Sequence, residues 1–184
     1  MEIFDFNKAV LTTKYTSDSY EISEVGYDNS KLEILKNTFS TVGFLPFLKN
    51  NEGIINEVIV SKIPNFYNTE LEYALLTETQ EDLDNDDLST AQRGLFEETT
   101  LQILDINKWY LLGHIKINKF INKTIPIYAV DVTGINIPLR AAPTSDTLES
   151  TQEIVKLKIN EILKGNIQDT LILSSCFLLY SYFK

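Results

Sequence analysis

The chain has 184 residues, 43% hydrophobic and 23% charged, which suffices for one domain with a real core and is short for two ordinary ones. Sixteen Lys and Arg against 26 Asp and Glu leave a formal net charge of −10, and Arg93 and Arg140 are the two arginines, so a broad nucleic-acid surface is excluded. One cysteine, Cys176, excludes an intrachain disulfide and a cysteine-built metal cage.

The first residues lack the basic start and apolar core of a signal peptide, and no apolar run reaches the roughly 18 residues of a membrane span. The expectation is a soluble protein, intracellular or part of a virion, with no membrane partner. Lys, Asn and Ile number 14, 15 and 21 against 6 Ala, a bias usual in AT-rich genomes, bacteriophages among them.

In chain order, residues 1–38 alternate short apolar bursts with polar stretches such as Thr16-Ser17-Asp18-Ser19, and read as an N-terminal extension with one or two short strands. Thr41–Leu48 and Ile54–Lys62 are β-rich and flank the turn-rich Lys49-Asn50-Asn51-Glu52-Gly53, the pattern of a hairpin. Leu71–Leu76 predicts a further strand, followed by an acidic stretch from Glu78 to Asp87. Asp86 or Asp87 is suited to cap a helix on which Leu88, Ala91 and Leu95 recur at helical spacing up to about Thr99. Strands are expected at Trp109–Ile117 and Thr124–Val132, and Gly134–Thr147, with two prolines, reads as a loop. Glu153–Leu157 predicts a strand, Asn160–Lys164 a short helix stopped by Gly165, and Asp169–Tyr182 a closing apolar helix.

The stretch Asn85-Asp86-Asp87-Leu88-Ser89-Thr90-Ala91-Gln92-Arg93-Gly94-Leu95-Phe96-Glu97-Glu98-Thr99-Thr100-Leu101 resembles the Nudix box of nucleoside-diphosphate-linked hydrolases. The family pattern is G-x5-E-x7-R-E-U-x-E-E-x-G-U, and Arg93, Leu95, Glu97, Glu98 and Leu101 fall on their expected types. Glu153–Leu157, then Ile162–Asp169 and an apolar helix, are similar to the C-terminal end of ADP-sugar pyrophosphatases. The resemblance implies an α/β fold, a Nudix-like α/β/α sandwich with a mixed sheet over residues 39–184, preceded by the extension 1–38.

The same alignment places Thr79 on the first glycine, Asn85 on the early glutamate, Gly94 on the glutamate after the arginine, and Thr100 on the last glycine. Carboxylates at i and i+4 on a helix face one way and can share a hard divalent cation. The resemblance gives that role to positions 94 and 98, and here they are Gly94 and Glu98. Gly94 costs about 1 kcal/mol relative to Ala in a helix and brings no ligand. Thr100 replaces a residue that turns sharply, so a different loop conformation is expected. Arg93 and Glu97, four apart, are placed to pair.

These departures favour a non-catalytic structural or interaction protein on a degenerate Nudix fold, whose partners are other protein subunits of an assembly; with the AT-rich bias, a bacteriophage virion or tail component is the expected setting. Arg93, Glu97 and Glu98 are then vestigial, no catalytic residue is assigned, and no cofactor is needed. The alternative is a divergent Mg²⁺-dependent Nudix hydrolase of a nucleoside-diphosphate-linked substrate such as ADP-ribose. Glu97 and Glu98 would be its metal ligands, Glu78 or Glu81 could replace a missing one, and Glu149 or Glu153 lies where the family often places a late acid. Asp82–Asp87 reads as a solvated turn rather than a calcium loop, since position twelve is Arg93. His114 and Cys176 read as structural, and the Tyr180–Phe183 cluster as core with an end that could dock a partner.

Overall fold

The computed structural model describes residues 10–16, 20–27, 30–37, 40–64, 71–117, 123–137, 153–167 and 169–184. They fall into two compact units: the described residues up to Ser40 with those between Lys116 and Ile125, and the rest from Thr41 onward. Of the predicted loop Gly134–Thr147, residues 138–147 lie outside the described residues, as does Glu149.

The first unit contains three strands where one or two were expected: β1 (Val10–Thr16), β2 (Tyr20–Tyr27) and β3 (Ser30–Asn37). They form an antiparallel sheet in the order β1-β2-β3, with Tyr27 opposite Ser30 and Tyr20 opposite Asn37. The polar stretches that looked like breaks separate full-length strands, each seven or eight residues long.

The second unit is built on a seven-stranded mixed sheet of β4 (Thr41–Lys49), β5 (Ile55–Pro64), β6 (Leu71–Ala74), β7 (Leu76–Thr79), β8 (Trp109–Lys116), β9 (Thr124–Asp131) and β10 (Glu153–Lys158). Its main path runs β10-β5-β4-β9-β8. β4 and β9 pair in parallel, Phe44 opposite Tyr128, and β4 and β5 form the expected hairpin, Phe47 opposite Val58.

The hairpin strands then diverge, and residues 71–79 fill the gap. β6 pairs with β5 and β7 pairs with β4, so the single strand expected at Leu71–Leu76 changes partner at Leu75 and runs on to Thr79. Pro46, which has no N–H for a ladder, falls in the interval where β4 passes from β7 to β5.

β4 is buried on both faces, as a central strand must be. Its Val42 and Phe44 join Leu76 of β7, Trp109 of β8 and Ile154 of β10 in one core cluster with Ala91 and Leu95 of helix α1 (Asp87–Thr99). Phe47, an odd number of residues along the strand from Phe44, faces the other way and meets Phe183, just past helix α3 (Thr170–Tyr182), at a ring-centroid distance of 5.3 Å. The sheet is thus covered on one face by α1 and on the other by α3. A single helical turn, α2 (Ile159–Glu161), continues into a wide turn, Ile162–Asn166, that closes at Gly165 with φ of 85°. No helix among the described residues is long and apolar enough to cross a membrane.

Both long helices start as the sequence predicts. Asp86 accepts from the Ser89 N–H at 2.7 Å while the Ser89 hydroxyl accepts from the Asp86 N–H at 2.9 Å, a reciprocal cap, and Asp169 accepts from Ile172 N–H at 2.6 Å. The end of α1 corrects an expectation. Thr100 adopts the left-handed conformation itself, φ 60° and ψ 9°, with its N–H on Phe96 O at 2.7 Å, so the chain makes a sharp left-handed turn without a glycine. A β-branched residue there stores about 1–2 kcal/mol of strain. Thr100→Gly is therefore expected to raise stability by about 1 kcal/mol in urea unfolding; an equal or lower midpoint would show that the turn is relaxed as it stands.

Candidate functional site

Strand alternation sets the site. In β7, Leu76 lies opposite Phe44 and Glu78 opposite Val42, so Leu76 and Glu78 point to the face that α1 covers. Glu78 is the last residue of that row, at the border of the core, and its side chain is 17% exposed.

Directly above it is Gly94. A Cβ at this position would come within 2.6 Å of Glu78 Cβ, 2.8 Å of Phe44 Cε1 and 3.0 Å of Glu78 Cγ. The helix crosses the sheet so closely that the stem of Glu78 occupies the space a side chain at 94 would need. This is the physical reason for a glycine inside a helix that otherwise loses stability by having one.

Arg93 collects the carboxylates around this crossing. Its Nε and Nη2 donate to the two oxygens of Asp84 at 3.2 and 2.9 Å, a bidentate pair, and Nη2 also donates to Thr79 O at 2.6 Å. Nη1 donates to Glu97 Oε2 at 3.0 Å and lies 3.4 Å from Glu78 and 3.6 Å from Glu81. One guanidinium thus ties the end of β7, the loop before α1 and the third turn of α1 together.

Four carboxylates on one cation leave excess negative charge, and the groups divide accordingly. Asp84, 6% exposed, is held down to about 2, first by the Arg93 hydrogen bond. Glu78 is pushed up to about 7, first by burial and further by the Glu97 carboxylate beside it, against the pull of the Thr79 N–H and Arg93. Arg93 is raised above its ordinary value, chiefly by Asp84.

The sequence-predicted residues are thereby placed. Arg93 and Glu97 pair as expected, with Glu97 half exposed. Glu98 is half-buried and about 100° further round the helix. Glu81 stands at the rim, and Glu153 is exposed at the start of edge strand β10, opposite Lys62. His114 is exposed on β8, and Cys176 is buried with its thiol pushed up to about 12 by burial.

Asp84 escaped the sequence alignment. The box pattern falls on Asn85, and the loop offers its carboxylate to Arg93 from one residue earlier; the acidic run 81–87 was the available signal.

A divalent cation needs several converging oxygens. Glu97 has one of its oxygens on Arg93, Gly94 brings none, and among the described residues no group of three or more His, Cys, Asp or Glu side chains is disposed to hold a metal ion.

No protein-family profile matches the chain, and no curated protein sequence is significantly similar to it. A solved structure described as an ADP compounds hydrolase is similar to it in fold: the TM-score is 0.67 at 12% sequence identity, over 98% of this chain and 96% of that one. The fold is Nudix-like. The mixed sheet of the second unit and the helices on its two faces agree with the α/β/α sandwich that the residues around Arg93 imply.

Two outcomes follow from the crossing. Gly94→Ala should cost about 2–3 kcal/mol of stability, because the contacts at 2.6 and 2.8 Å force the helix off the sheet; a wild-type urea midpoint would mean that α1 does not sit this close. Glu78 binds a proton in the folded state between its ordinary 4.5 and about 7, where the unfolded chain has lost it, so its contribution to stability declines as pH rises through that window. Glu78→Gln should accordingly gain about 2 kcal/mol relative to wild type on going from pH 5 to pH 8; parallel pH profiles for the two proteins would contradict the assignment.

Proposed function

We propose that this chain is a divergent Nudix-type hydrolase of a nucleoside-diphosphate-linked compound, with ADP-linked compounds the first to test. The observation that supports this reading is the likeness over nearly the whole chain to a structure described as an ADP compounds hydrolase. Arg93, Glu97 and Glu98 stand on a well-capped helix of that fold. The reaction is addition of water across the P–O–P link, giving two phosphate esters.

In this reading Glu97 and Glu98 are the carboxylates that α1 offers to Mg²⁺, and the remaining oxygens come from beyond the described cluster. Glu149, outside the described residues, and Glu153 are the side chains to substitute first.

Two observations bear on a second reading, a non-catalytic interaction protein. Gly94 is closed to any side chain, and Arg93 already holds Glu97. A fold of this kind persists after its chemistry is lost.

The deciding experiment is product release from ADP-ribose and a set of nucleotide sugars with Mg²⁺ or Mn²⁺, using the full chain and a Glu98→Gln control. The hydrolase reading expects turnover that falls at least ~100-fold in the control. Folded protein without turnover on any substrate supports the second reading.

A further inference from the structure

We draw no further inference here: the strongest candidate, the apolar and partly aromatic cavity of about 420 Å³ between the turn after β4 and the end of α3, carries nothing because no feature of the structure shows what covers it.

Discussion

The contact between Arg93 and Asp84 holds the α1 side of the molecule in register. A bidentate guanidinium–carboxylate pair fixes both distance and plane, and here it joins the second turn of α1 to the loop that leads into it. The same guanidinium reaches the carbonyl of Thr79, the last residue of β7. A helix pinned to the strand beneath it can approach until backbone meets side chain, and at Gly94 it does. The position of Glu78, the pairing of Glu97 and the closed space at 94 are all consequences of that approach. Asp84 is 6% exposed and Arg93 22%, so the pair is partly sheltered from the solvent screening that weakens surface ion pairs.

This arrangement bears on both functional readings in the same physical currency. A carboxylate that pairs with a guanidinium and one that ligates a cation compete for the same oxygen lone pairs. Among the described residues the guanidinium has that claim on Glu97, and a metal must either share the carboxylate or displace the pairing. The fold is shared with a structure described as an ADP compounds hydrolase, and a shared fold does not by itself carry a shared chemistry.

Much of the fold was legible in the residues because local rules and burial agreed. Asp86 followed by Leu88, Ala91 and Leu95 marks α1, and the apolar run after Asp169 marks α3; both begin where their caps predict. The hairpin at residues 41–62 followed from its β-branched and aromatic content around a polar turn. What escaped depends on neighbours distant in sequence. The change of partner at Leu75 follows from the divergence of β4 and β5, which no local pattern records. Glu78 reads as the start of an acidic loop until β4 is placed beside it, and only then does alternation turn it under α1. Gly94 looks like a lost ligand in the alignment and is a packing requirement in the fold. Thr100 looks like a broken turn and is a strained one.

The position of β4 has a consequence for how the chain acquires its shape. It is bordered by β5 and β7 on one edge and by β9 on the other, and β9 joins it in parallel some eighty residues later in the chain. Closing a loop of that length is an entropic cost met before the pairing returns anything, and parallel pairing across large separations is slow. A growing or refolding chain can assemble β4, β5, β6, β7 and α1 from neighbouring sequence, and during that interval one edge of its central strand is bare. An unpaired apolar edge is a template for another chain. The vulnerable stage of this protein's life is therefore the wait for β9, and its high net charge, which keeps copies apart in solution, acts during that wait as well as after it.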